Sequence, residues 1–277
     1  MKTQDTVFRK NSAPIVMGIL NVTPDSFFDG GKYNSEKVIV NQAKQMLEEG
    51  AAIIDIGAYS TRPGATDISE AEELKRLIPA IRTIRKEFQE AIISADTFRA
   101  NIAKQAVEAG ADIINDISGG TLDSKMFETV AKLKVPYILT HIKGAPQTMQ
   151  ENPEYANVTA EVKDYFKTKI SELKKLGTEQ IILDPGFGFG KTTEHNYQLL
   201  KHLDEFKCFG LPLLIGASRK GMIHKVLGIK AAEALNGTTV INTLALLNGA
   251  NILRVHDVKE AGEAIKLLGY YNKDLIS

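Results

Sequence analysis

The chain carries 277 residues, with 34 Lys and Arg against 34 Asp and Glu, so its formal charge is zero. A nucleic-acid partner held by counterion release needs a basic excess, and a disordered chain is poorer in apolar residues than the 43% found here, so neither class fits. One cysteine, Cys208, excludes an internal disulfide, and with five scattered histidines it argues against a Cys/His zinc centre.

The polar segment 1–14 lacks the apolar core of a signal peptide, and no apolar run approaches the ~18 residues of a membrane span. The expectation is a cytoplasmic protein without membrane or nucleic-acid partners. Short, largely β-branched runs then follow at 15–20, 52–56, 91–95, 112–115, 136–140, 180–183, 212–216 and 251–255. Runs of this length read as strands buried on both faces, hence a parallel sheet. Helical periodicity fills 35–49, 69–85, 99–109, 155–176 and 232–247. Ser35 and Ser69 are predicted N-caps, the latter with Glu72 in a capping box.

A weak repeat recurs as E-E-G-A-A-I-I-D (48–55), E-A-G-A-D-I-I-N (108–115), K-L-G-T-E-Q-I-I-L-D (175–184) and L-N-G-A-N-I-L-R (247–254). Each is a helix end, a Gly stop and a strand, and Gly suits the left-handed residue that ends a helix. Gly50, Gly110, Gly177 and Gly249 precede the second, fourth, sixth and eighth runs. The pattern predicts an α/β fold, a (β/α)8 TIM barrel, as one domain over 1–277 with its core at about 14–268. An open doubly wound sheet is the alternative.

In such a barrel the site lies at the C-terminal ends of the strands. Those ends carry Asn21, Asp55, Asp96, Asn115 with Asp116, His141, Asp184, Ser218 to Lys220, and Arg254 with His256. One strand-end Asp is usually a helix cap, but eight polar ends around one mouth exceed that role. Asp96, Asn115, Asp184 and Lys220 offer the donors and acceptors that suit a flat heterocycle such as a pterin or guanine. Arg62, Arg254 and His256 match phosphate oxygens, and Asn21 offers an oxygen to Mg²⁺.

The glycine-rich stretch 186–192 is neither a P-loop, since Pro185 stands at the first glycine position, nor a Rossmann turn, since residue 191 is Lys. Two readings stay open. It is a permissive loop that lets Phe187 or Phe189 close over a ligand, or a tight turn that buries them. The long connections 21–34 and 58–68, rich in Gly, Pro and polar residues, are predicted lids.

Eight short motifs occur in order: L-N-V-T-P-D-S-F-F-D-G-G (20–31), S-T-R-P-G (60–64), A-D-T-F (95–98), N-D-I-S-G-G (115–120), K-G-x-P-x-T-M-Q (143–150), D-P-G-F-G-F-G-K-T (184–192), S-R-K (218–220) and R-V-H-D (254–257). Together they resemble the dihydropteroate synthases over nearly the whole chain. The resemblance implies a transferase of folate biosynthesis. It would condense p-aminobenzoate with 6-hydroxymethyl-7,8-dihydropterin diphosphate, with sulfonamides as competitors and a homodimer as the assembly. It implies a pterin pocket of Asp96, Asn115, Asp184 and Lys220, and a diphosphate site of Asn21, Arg62, Arg254 and His256 with Mg²⁺ on Asn21. The p-aminobenzoate pocket would use Phe27, Thr61, Pro63, Phe189 and Gly221, and the catalytic set would be Asp96, Asp184, Lys220, Arg254, Asp29 and Thr61.

Four positions depart from the family pattern. Gly221 stands where Ser is common, Tyr59 where Glu is, Ala58 where Gly is and Thr140 where Met is frequent. Two other functions compete. A methyltetrahydrofolate-binding methyltransferase has no need of a diphosphate clamp, which S-T-R-P and R-V-H-D resemble. A non-catalytic pterin binder would have lost loop residues, yet Asn21, Asp29, Thr61 and Arg62 are all present.

Overall fold

The computed structural model describes residues 13–22, 31–59, 67–144 and 148–272. Strands and helices alternate, save for two successive helices before the last strand: β1 (Ile15–Asn21), α1 (Gly31–Glu48), β2 (Ile53–Gly57), α2 (Glu70–Glu87), β3 (Ile92–Asp96), α3 (Ala100–Ala109), β4 (Ile113–Asp116), α4 (Met126–Leu133) and β5 (Tyr137–Thr140) come first. Then follow α5 (Val158–Lys175), β6 (Ile181–Asp184), α6 (Thr193–Lys201), β7 (Leu214–Ile215), α7 (Gly221–Leu227), α8 (Leu235–Leu247), β8 (Ile252–Val255) and α9 (Val258–Tyr271). The strands pair in parallel in the order β6-β5-β4-β3-β2-β1-β8-β7. A parallel bridge between Leu183 and Leu213, with Leu183 N donating to Pro212 O at 2.9 Å, joins the two ends. The sheet closes into a (β/α)8 barrel, which removes the open-sheet alternative.

Side chains alternate along a strand, so each strand gives one set to the barrel axis and the other to the helices. Met17, Ile53, Ile92, Ile113, Ile138, Ile182, Leu214 and Ile252, one from each strand, form a buried apolar plug. The alternate set, including Ile54, Ile93, Ile114, Leu183 and Leu253, packs with helix residues such as Ile81, Ala103, Phe166 and Ile241 in a larger core. Two residues past the plug, the inward positions are Ile19, Asp55, Ser94, Asn115, Thr140, Asp184, Gly216 and Arg254. The axis therefore turns from apolar to polar within one strand period. Each plug side chain contributes roughly 1.5–3 kcal/mol by burial, which helps offset the cost of the polar level above it.

Several boundaries move from their expected places. Asn21, Gly57, Asp96, Asp116 and Asp184 lie inside strands, one residue beyond the apolar runs, because backbone pairing does not stop at a polar side chain. α1 begins at Gly31, so Ser35 lies within the helix and not at its start. Ser69 does cap α2, its hydroxyl accepting from Glu72 N at 3.2 Å, one half of the expected box. α5 starts after Asn157, whose side chain accepts from Ala160 N at 3.0 Å, later than the expected residue 155. The four repeat glycines take φ of +99°, +115°, +90° and +100°, as helix stops require. Among the described residues no helix is long and apolar enough to cross a membrane.

Candidate active site

The polar level on the barrel axis is organised by Asp55, which is fully buried on β2. Its Oδ2 accepts from Arg254 Nε at 2.6 Å and from Asn115 Nδ2 at 3.0 Å. Arg254 Nη2 reaches the Asp96 carboxylate at 2.7 Å. Burial works against the Arg254 charge, but Asp55 and Asp96 outweigh it and hold the guanidinium above its ordinary range. Burial lifts Asp96 to about 7, with Arg254 opposing the rise and the neighbouring Asp55 adding to it. The sequence marks Asp55 only as a strand end, not as a site residue. The signal was its parity: it stands two residues after the plug residue Ile53, as Asp184 does after Ile182.

Asp184 and Lys220 form the opposite side. Burial raises the Asp184 carboxyl and Lys220 opposes it; burial lowers the Lys220 amine to about 8 and Asp184 opposes that. Asp184 Oδ1 also accepts from Gly186 N at 2.8 Å. Gly216 keeps the space between the two sides open, since a Cβ there would stand 3.9 Å from both Asp184 Oδ2 and the Arg254 side chain. Asp55 Oδ1, Ser94 Oγ and Thr140 Oγ1 are buried inward-facing atoms with no hydrogen-bond partner among the described residues. An unmet buried polar atom costs about 1–3 kcal/mol, so these three favour a polar occupant of the axis.

The turn 186–190 is tight. Phe187 is fully buried on the helix side, and Phe189 packs with Ile117, Ile142 and Met149. Lys220 Nζ donates to Phe187 O at 2.5 Å and lies 4.4 Å from the Phe189 ring centroid. Neither Phe is placed to swing as a lid. Gly221 opens α7 directly after Lys220.

Not all eight polar ends meet at the mouth. Asp116 and His141 fall on the outward parity. Asp116 accepts from Tyr137 Oη at 2.7 Å and from Ser118 N at 2.7 Å, and His141 packs edge-on against Tyr165 of α5 at 4.9 Å. Burial and the nearby Lys191 lower His141 to about 2, so it stays neutral. His256 stands at the rim, with Nδ1 3.0 Å from Ser218 Oγ. Asn21 holds the inward, partly buried end of β1. The structure thus brings Asp96, Asn115, Asp184, Lys220 and Arg254 together around one opening, with Phe189 and Gly221 beside Lys220. Phe27, Asp29, Thr61, Arg62 and Pro63 lie outside the described residues.

Residues 17–256 match the family described as pterin binding enzyme. A dihydropteroate synthase of Synechocystis sp. is 47% identical over 265 residues, covering 95% of this chain and 91% of its own. A crystal structure of the Yersinia pestis dihydropteroate synthase with a sulfonamide drug superposes with a TM-score of 0.90 at 41% identity, covering 96% of this chain and 97% of that one. The Xanthomonas albilineans enzyme with 4-aminobenzoic acid superposes with a TM-score of 0.88 at 38% identity, over 95% and 94%. The chain belongs to the dihydropteroate synthases, within the pterin-binding enzymes. That membership favours the sequence motifs' first reading over both competing functions.

Proposed function

We propose that this barrel mouth joins 6-hydroxymethyl-7,8-dihydropterin diphosphate to p-aminobenzoate, releasing 7,8-dihydropteroate and diphosphate. The observation that carries the reading is the pairing on the axis: Arg254 pinned by Asp55 and Asp96, facing Asp184 and Lys220. Asp96 and Asp184 accept from the N–H groups of the pterin, while Asn115 and Lys220 donate to its acceptor atoms. Three carboxylates and two cations leave this level with a formal charge of −1 when all are ionised. A diphosphate therefore needs further positive charge, which we assign to Arg62 and Mg²⁺, with His256 as a further hydrogen-bonding group.

The donors present fit such an ion. Among the described residues no group of three His, Cys, Asp or Glu could cage a metal, and Asn21 offers one neutral oxygen at the rim side of β1. Mg²⁺ binds in this manner, keeping most of its shell for substrate phosphates and water. When bound it would neutralise charge on the diphosphate.

The step is a dissociative displacement. The C–O bond of the exocyclic methylene breaks with its electron pair leaving on diphosphate, and the dihydropterin ring feeds density to the carbon. Asp96 and Asp184 favour the cationic ring; Arg254 and His256 favour the departing anion. The arylamine nitrogen then bonds to the methylene carbon and sheds a proton. Phe189, Gly221, Phe27, Thr61 and Pro63 enclose the arylamine, and Asp29 and Thr61 help exclude water. Sulfonamides, which carry the same arylamine, would compete there. The same proposal takes a homodimer as the assembly and the cytoplasm, a reducing compartment in keeping with the exposed free Cys208, as the location.

The test is an assay with both substrates and Mg²⁺, following dihydropteroate by chromatography. Steady formation is expected. If pterin binds and no dihydropteroate forms, the non-catalytic reading replaces this one.

A further inference from the structure

The turn after β6, residues 186–190, belongs to no ladder, yet each of its five carbonyls accepts a hydrogen bond. Gly186 O accepts from Phe189 N at 3.0 Å and from Lys191 Nζ at 2.9 Å, and Phe189 O accepts from Lys191 Nζ at 3.0 Å. Phe187 O takes Lys220 Nζ, Gly188 O takes Gln150 Nε2, and Gly190 O takes Tyr155 Oη at 2.9 Å. Side chains here meet the backbone's demand that a ladder meets elsewhere.

Lys191 serves two of the five and is only 2% exposed. Its Nζ also lies 2.9 Å from His141 Nδ1 and 3.4 Å from His141 O. Among the described residues no carboxylate forms a contact ion pair with it, and the one carboxylate that favours its charge, Asp184, acts from a distance. Burial pushes its pKa well below the lysine range. The partners suit either form: an ammonium donates to both carbonyls and to a bare Nδ1, and an amine donates to both carbonyls and accepts an Nδ1 proton. Either way Lys191 ties the β6 turn to the end of β5. There is little slack in that tie. A Cβ on Gly186 would fall 1.9 Å from His141 O, and one on Gly190 2.2 Å from Lys143 O.

The other face of the same turn meets the site. Gly186 N holds Asp184, and the Phe187 carbonyl and Phe189 ring hold Lys220. We propose that Lys191 is a positioning residue, which fixes the turn so that Phe187 and Phe189 set the place of the Lys220 amine against the pterin. This rests on the reading of Lys220 as a pterin ligand.

The experiment is a double-mutant cycle on the full chain. Calorimetric titration with 6-hydroxymethylpterin compares the parent, Lys191→Met, Lys220→Met and the double variant. Met keeps the stem length and removes both carbonyl bonds. Lys191→Met is expected to weaken binding about tenfold or more with Lys220 present, and by less than about threefold in the Lys220→Met background. A purely structural role would give the same loss in both backgrounds, and that result, or no loss at all, overturns the proposal. Unchanged affinity in Lys220→Met alone removes Lys220 from the pterin side and the proposal with it, so the two failures are told apart. If circular dichroism shows Lys191→Met unfolded, the cycle is run with Lys191→Gln. If neither folds, Lys191 serves the fold alone and the proposal falls.

Discussion

Asp96 and Lys220 sit in one mouth with their pKa values driven toward each other, up to about 7 and down to about 8. The proposed chemistry needs the Asp96 carboxylate and the Lys220 ammonium. Activity should therefore rise as pH climbs through about 7 and fall beyond about 8, giving a narrow bell in kcat/KM. The two limbs are properties of the coupled set rather than of isolated residues. Asp55 allows a sharper test, because its charge contributes to the rise at Asp96 and it shares Arg254 with Asp96. In Asp55→Asn the repulsion goes and Arg254 is left to Asp96, so both effects lower the Asp96 pKa. The acid limb should move to lower pH, while stability falls by about 3–5 kcal/mol from breaking a buried pair. A pH–rate profile together with a denaturant melt reads both. An acid limb unmoved in a folded Asp55→Asn protein would mean that Asp96 does not set it.

Individual elements explain why some of this was legible in the sequence and some was not. The eight apolar runs revealed the strands because a parallel strand covered on both faces has few polar residues until it reaches the mouth. The same rule blurred the strand ends: Asp96 and Asp184 are ladder residues one position past the apolar runs. Parity separates the functional ends from the structural ones. Asp184 and Asn115 share the plug's face, whereas Asp116 and His141 do not, although all four look alike as polar residues after an apolar run. The glycine-rich turn was legible only as one of two readings, the tight turn that buries Phe187 and Phe189; its hydrogen-bond donors were not, since they come from positions as distant as Gln150, Tyr155 and Lys220. Two glycines set a contrast between elements. Gly186 combines φ of +71° with a carbonyl where its Cβ would be, so Gly186→Ala should dislodge the turn and cost pterin affinity by roughly 1–3 kcal/mol or more. Gly221, on the first turn of α7, has room: a Cβ would meet Lys225 Cε at 3.4 Å, an ordinary contact. Gly221→Ser should keep kcat/KM within about threefold, as for a change worth under ~0.5 kcal/mol. Steady-state kinetics on the pair decides it; a Gly221→Ser enzyme as damaged as Gly186→Ala would mean that α7 packs differently around its substrate.

At the scale of the molecule, zero net charge is composed of opposed groups at the mouth and of surface pairs such as Lys44–Glu48, Lys104–Glu108 and Lys132–Glu128. One surface has no such cover. α8, residues 235–247, contains no charged side chain. Ile241, Ala245 and Leu246 are buried, while Val240, Leu244 and Leu247 are 51%, 40% and 50% exposed. Those three recur at i, i+4 and i+7, one stripe of the helix, and Val226 and Leu227 of α7 are also exposed. A helix apolar on both faces is stable in water only when both are covered. A second copy meeting the first about a two-fold axis would lay stripe against stripe, with no like charge opposed. In Leu244→Glu that symmetry would bring the new carboxylates of the two copies close together in an apolar contact. Sedimentation should show the parent as a dimer at micromolar concentration and Leu244→Glu as a monomer, and the parent's melting temperature should rise with concentration while the variant's does not. Pterin affinity should survive in that monomer, because Asp55, Asp96, Asn115, Asp184, Lys220 and Arg254 all come from one chain. A parent that sediments as a monomer would remove the dimer and leave the stripe for another partner.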